Sequence, residues 1–257
     1  MTEARLSHLR RPEIMAAEFE VAVLPIGSTE PHAQHLPYGT DVFVAGRFAQ
    51  LGVEEANRRG ARCLLLPTLP YGCNTNLDHV PWGMSLQPRI LMDVVSDIVA
   101  SVARQGVRKV LIVNAHGGNT SSLLASLREL YEKTSAFVAM VEQWTLSSRA
   151  EAEIRETAET GHACEIETSL LLHLYPDRVA MEAAEPTRVR KTIFSDREGV
   201  NFVSPWHAYT LNTGIGDPTK ATAEKGRRMI EAGVERLAAI LKDLSDAPMT
   251  DLFPFVD

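Results

Sequence analysis

Residues 21–41 read VAVLPIGSTEPHAQHLPYGTD, an apolar run that passes directly into a loop dense with polar side chains. The run at 21–27 (VAVLPIG) has the length and continuous hydrophobicity of a short strand covered on both faces. A helix-like stretch follows from Val42 to Arg59, and 62–69 (RCLLLPTL) reads as a second strand. A helix from about Pro88 carries Ile90, Leu91, Val94, Val95, Ile98 and Val102 on one face, with proline in the first turn where a helix tolerates it. Residues 108–113 (RKVLIV) form a third strand, leading through NAHGGN into a helix with Leu123, Leu124, Leu127 and Leu130. The fourth strand is 136–141 (AFVAMV). A helix beginning near His162 contains Leu170, Leu171, Leu172 and Leu174 and stops before Pro176. The last, roughly 219–243, has Ile230, Val234, Leu237 and Leu241 at helical spacing. This alternation predicts an α/β fold, a mostly parallel central sheet flanked by helices on both faces, as a single domain over 1–257. Residues 185–218, rich in turn formers, read as an excursion near a pocket.

The chain has 257 residues, 45% hydrophobic and 23% charged, ordinary values for a globular protein and unlike a disordered chain. A net charge of −7 disfavours nucleic acid as a partner, since phosphate binding needs a basic face. No apolar run approaches the ~20 residues of a membrane span, and MTEARLSHLRRPEI lacks the apolar core of a secretory signal. Three cysteines without a CxxC pair argue against a disulfide framework, so a cytoplasmic location is expected.

Where the polar residues fall points to chemistry. The first strand runs into Glu30 and His32, the second precedes His79, the third ends at His116 and the fourth ends near Trp144. Open parallel sheets bind ligands beyond the carboxyl ends of their strands. The segment 27–41 places Glu30, His32, His35 and Asp41 within twelve residues, a mixture of carboxylate and imidazole that suits Zn²⁺ or Mn²⁺. The competing reading is a polar surface loop with incidental histidines. In NAHGGN, residues 114–119, paired glycines permit a tight turn and close approach to a ligand, and Asn119 or Thr120 could cap the next helix. In GHACEIETS, residues 161–169, His162 and Glu165 are three apart and share a helix face, whereas Glu167 points elsewhere and could simply favour the helix start.

With these three motifs, and LYPDRV after the third, the chain resembles the creatininase family of metal-dependent amidohydrolases over nearly its whole length. The resemblance implies a binuclear Zn²⁺ or Mn²⁺ centre, a small-molecule substrate and assembly as a homohexamer. Carried onto this sequence, Glu30, Asp41 and His116 hold one metal, and His32 with a bridging Asp41 holds the other. Creatininase takes a further carboxylate from two residues after the HGGN-type histidine, where this chain has Gly118. Glu165 is the expected replacement ligand. The resemblance also makes His162 the proton shuttle to the leaving group, a role suited to imidazole near neutral pH.

His79 matches a family histidine, although the turn after it reads VPWGM and displaces Trp82. Trp144 matches a family tryptophan that closes over substrate, with a core aromatic as the competing reading. Trp206 and His207 are candidate substrate contacts from the excursion. Cys164 fits a packed thiol better than a nucleophile, and His35 is expected to orient a ligand. The leading function is metal-dependent hydrolysis of a C–N bond in a small cyclic amide or formamide. The alternatives are opening of a lactone or cyclic polyol ketone at the same centre, and a scaffold protein with a residual metal site.

Overall fold

The computed structural model describes residues 3–77, 79–197 and 199–255. Four parallel strands, β1 (Val21–Ile26), β2 (Cys63–Leu65), β3 (Lys109–Asn114) and β4 (Phe137–Glu142), form a sheet of order β2-β1-β3-β4. Val21 pairs with both Cys63 and Lys109, and Lys109 pairs with Phe137, so the strands start level. The short helix α1 (Arg11–Met15) precedes β1. Helices α2 (Thr40–Arg58), α3 (Pro88–Ala103) and α4 (Thr120–Lys133) make the three crossovers that parallel pairing demands. Helices α5 (Gln143–Ile154), α6 (Glu165–Leu174), α7 (Trp206–Tyr209) and α8 (Ala223–Asp246) complete the chain.

The two-residue period of a strand distributes the core. Val21, Val23, Leu111 and Val113 pack on one face with Phe48, Leu171, Leu237 and Leu241 from α2, α6 and α8. Ala22, Leu24, Ile26, Val110 and Ile112 pack on the other with Leu91, Val95, Val99, Leu123 and Leu130 from α3 and α4. All six residues of β1 and of β3 are buried, as their unbroken hydrophobic runs require. The expected α/β architecture with both faces covered is the observed one. β2 is shorter than its apolar run: Leu66 N–H still donates to Val23 O, but Pro25 of β1 has no N–H to give back; pairing resumes at a single bridge between Ile26 and Leu69. The 185–218 excursion is largely irregular, tied back by a bridge from Ile215 to His162 and closed on itself by one from Gly216 to Thr187. Among the described residues, no helix is long and apolar enough to cross a membrane.

The strand order reverses between β1 and β3, where diverging crossovers open a crevice at the carboxyl edge of the sheet. A cavity of about 520 Å³ lies there, lined by residues following β1, β3 and β4 and by the start of α6.

Candidate metal centre

The loop after β1 delivers Glu30 and His32, and the first turn of α2 delivers Asp41. A helix N-terminus favours a carboxylate there. The turn is pressed onto the end of β1, since a Cβ on Gly27 would lie 2.6 Å from the Val42 nitrogen and 2.7 Å from the Asp41 carbonyl carbon. Only glycine permits that approach. His116 comes from the loop after β3, held by a net of amides. Asn119 donates to the Gly27 carbonyl (3.1 Å) and accepts from the Cys73 N–H (2.9 Å), while Asn114 donates to the His116 carbonyl (2.9 Å). Asn119 therefore stitches three loops together, and its side chain does not cap α4.

Among the described residues three overlapping ligand groups emerge, and two of them contain Asp41. Glu30, Asp41 and His116 bring ligand atoms within 4.8 Å of one another, and so do His32, Asp41 and Glu167. Glu30, His32 and His162 form a third, overlapping group. His116 Nδ1 lies 3.0 Å from Glu30 Oε1 and 3.0 Å from Asp41 Oδ2, yet Asp41 Oδ2 is buried without a hydrogen-bond partner. Atoms that close without a hydrogen bond are facing a common point rather than each other. Ligands ~2.0–2.2 Å from one ion stand about 3 Å apart, so this spacing fits a coordination sphere. His32 Nε2 lies 3.0 Å from the other Asp41 oxygen, Oδ1.

The far nitrogen of each histidine fixes its tautomer. A carbonyl can only accept, so His32 Nδ1 donates to Glu30 O (3.0 Å), His116 Nε2 to Cys73 O (3.3 Å) and His162 Nε2 to Pro31 O (2.8 Å). Each ring is thereby oriented with its other nitrogen toward the carboxylates, the arrangement that prepares imidazole for a cation. Gly118 makes this possible at His116, because a Cβ there would fall 2.3 Å from Cys73 O and 2.4 Å from His116 Nε2.

The electrostatics favour positive charge at the cluster. Burial opposes charging His32, but Asp41, with Glu167 and Glu30, outweighs it and raises the pKa to about 10. Burial likewise opposes charge on His116, and Glu30 and Asp41 override it to raise the pKa well above the usual value. Burial would raise Asp41, yet the His32 and His116 rings pull it far below the carboxylate range. Oxygen and imidazole donors, an orphaned buried carboxylate oxygen and histidines anchored with one nitrogen facing the carboxylates together fit divalent cations.

Glu165 is not part of this cluster, contrary to the sequence expectation. Helix α6 begins at Glu165, not near His162, because Ala163 adopts a left-handed conformation (φ 51°) and Cys164 is extended. His162 thus lies outside the helix, and the three-residue spacing does not put it on a face with Glu165. Within α6, Glu165 and Glu167 point to opposite sides. Glu165 turns away from the cavity and accepts from Thr157 N (2.8 Å), Thr157 Oγ1 (2.6 Å), Glu156 N (3.1 Å) and Lys225 Nζ (2.6 Å). Burial opposes its ionisation, but Lys225, Thr157 and the backbone donors hold the pKa at about 2. Glu167 is the carboxylate that lines the cavity.

Trp144 and Trp206 line the cavity, and the Trp206 ring meets His162 edge-on at 4.8 Å. His79 and His207 stack edge to face at 4.4 Å outside the cavity lining. Trp82 is 83% exposed and does not line it; as a bulky residue at φ 60° it occupies a strained turn instead. His35 donates or accepts at Thr168 Oγ1 (2.8 Å) and has no hydrogen bond to a cluster residue. Burial raises the Cys164 pKa and keeps it a thiol, in keeping with packing. Gln143, which the sequence reading passed over, lies in the cavity wall.

The family model described as creatininase, creatinine amidohydrolase, matches residues 7–241. The chain belongs to the creatininase family. It is 30% identical over 228 residues to the mycofactocin precursor peptide peptidase of Mycobacterium ulcerans (strain Agy99), covering 84% of each chain. It is also 30% identical over 247 residues to the creatinine amidohydrolase of Pseudomonas putida, covering 87% of this chain and 89% of the relative. A putative creatinine amidohydrolase from Bacteroides fragilis NCTC 9343 superposes with TM-score 0.89 at 29% identity, over 98% of this chain and all of that one. The fold is shared by creatininases of a Zn–Zn type (TM-score 0.78, 24% identity, 96% of this chain and all of that one) and of a Mn form (0.77, 23%, 95% and 99%).

Proposed function

We propose that this creatininase-family enzyme is a binuclear Zn²⁺- or Mn²⁺-dependent hydrolase of a C–N bond in a small amide. The observation that carries the reading is the sharing of Asp41, one oxygen toward His32 and the other toward His116, between two ligand sets at the base of one cavity. Glu30, Asp41 and His116 hold one cation; His32, Asp41 and Glu167 hold the other. When bound, the cations supply Lewis acidity, making water acidic enough to attack near neutral pH and polarising a carbonyl.

The protein's own groups do the rest. Glu30, Asp41 and Glu167 carry the negative charge that retains the cations, and the backbone carbonyls of Glu30 and Cys73 lock the ligand tautomers. His162, tethered at Nε2 by Pro31 O, turns Nδ1 toward Glu30 Oε1 at 3.6 Å. That nitrogen is free to take a proton and pass it to a leaving amine. Trp144, Trp206, Leu170 and Ile215 give the cavity its apolar lining.

The peptide peptidase and the creatinine amidohydrolase relatives are equally similar to this chain, so overall similarity does not choose the substrate. The decisive experiment loads the protein with Zn²⁺ or Mn²⁺ and assays creatinine, other cyclic amides, formamides and short peptides beside lactones and cyclic polyol ketones. The expected result is about two divalent ions per chain and amide hydrolysis that disappears in Glu167→Gln with loss of one ion. Full activity in the metal-free protein, or cleavage of only the lactones or ketones, would refute the reading.

A further inference from the structure

Helix α5 begins where β4 ends, and its first residue enters the cavity wall. Gln143 is 4% exposed, and its Nε2 is buried with no acceptor among the described residues. The amides that hold the His116 loop, by contrast, are engaged. Asn119 bridges Cys73 and Gly27, and Asn114 bridges His116 and its neighbours. A buried donor left without a partner destabilises a fold, so a site that retains one has another use for it. The terminal torsion of glutamine is soft, so the carboxamide can turn toward the cavity without moving the helix.

The surroundings say what it would meet. The lining contains no lysine or arginine among the described residues. Of its four acids, Glu30, Asp41 and Glu167 belong to the metal groups, and Glu151 lies two turns along α5 from Gln143. Trp144 and Trp206 give flat apolar walls, and among the described residues Gln143 is the one side-chain amide of the lining.

We propose that Gln143 is a specificity-determining residue whose Nε2 donates to a second acceptor of the substrate, a carbonyl oxygen or ring nitrogen distinct from the carbonyl under attack. This rests on the hydrolase reading for the identity of the attacked group, but not for the binding itself. The substrate class narrows to small amides with two acceptors. A compound with one acceptor leaves Gln143 buried and unpaired, the situation that sites of this kind discriminate against most strongly.

The test uses the full-length, Zn²⁺-loaded protein and two probes of similar size, imidazolidine-2,4-dione with two carbonyls and pyrrolidin-2-one with one. Calorimetric affinities are measured for the wild type and for Gln143→Met, which keeps length and apolar volume but removes the amide. The wild type is expected to bind the dione about tenfold more tightly, a preference that Gln143→Met abolishes with metal content unchanged. Without ligand, Gln143→Met should melt about 2–4 °C higher, because an unpaired buried donor is gone; a structural glutamine would make the variant melt lower. Equal affinities in the wild type, no binding of either probe, a preference that survives in Gln143→Met, or a lower melting temperature each overturns the proposal. If the dione binds with the expected preference but no amide is hydrolysed, the hydrolase reading falls while the role of Gln143 stands.

Discussion

Glu165→Gln separates a structural carboxylate from a metal ligand. The substitution keeps the size of a fully buried side chain and removes its charge. Its pKa falls from 4.5 to about 2 in the fold, so neutralising it forfeits about 3 kcal/mol of interaction with Lys225, Thr157 and the Glu156 N–H. Breaking a buried ion pair gives a comparable figure, about 3–5 kcal/mol. The lower end applies because Lys225 keeps Glu156 at 2.6 Å and the Lys220 carbonyl at 2.8 Å. In a domain of this size that corresponds to a melting temperature roughly 6–12 °C lower. Calorimetry of the metal-loaded protein, paired with elemental analysis, reads both consequences. The expected outcome is a lower melting temperature with the metal content of the wild type. Loss of one ion at an unchanged melting temperature would place Glu165 in the coordination sphere and refute the assignment of Glu167.

Three further outcomes follow from the geometry. Gly118→Ala drives a methyl group against Cys73 O and His116 Nε2, so the cation held by His116 should bind about 10–100-fold more weakly, measured by competition with a chromophoric chelator. His35 is held at a pKa of about 4, down from 6.5, by burial and then by the neighbouring His32 charge. The unfolded chain therefore takes up a proton between pH 6.5 and 4 that the fold refuses. Stability is full above pH 6.5 and declines by about 3 kcal/mol as the pH falls through that window. Urea unfolding at pH 7 and 4.5 should show this loss in the wild type and not in His35→Gln; equal losses would contradict it. Removing metal with a chelator should lower the melting temperature, with recovery on adding Zn²⁺ or Mn²⁺, since an ion that binds only the folded chain stabilises it by mass action.

The fold was readable because β1 and β3 are continuous apolar runs and α3 and α8 hold their apolar residues at strict helical spacing. Glu30, His32, Asp41 and His116 stood out for a similar local reason, being dense polar clusters at the ends of buried strands. The misreading of 161–169 has a definite origin. Helical periodicity continues backward from the leucines to His162, but Ala163 turns left-handed, the helix starts only at Glu165, and Glu167 is the acid that faces the cavity. Nothing in the local pattern marks that turn, because alanine is not a residue expected at positive φ. Gln143 was missed for a different reason. One amide at the start of a helix carries no signal until the surrounding donors and acceptors are counted in space. Trp82 shows the converse, a tryptophan that looks functional by type yet sits at the surface.

His162 and Pro31 touch across 131 positions of sequence, and the cluster gathers residues from both sides of that interval. No fragment shorter than most of the chain holds both halves of the cage, so it closes only after the crossovers around β1 and β3 have docked. If the centre takes the proposed cations, both ligand sets exist only once these segments have met, and uptake of the full complement would report a completed topology.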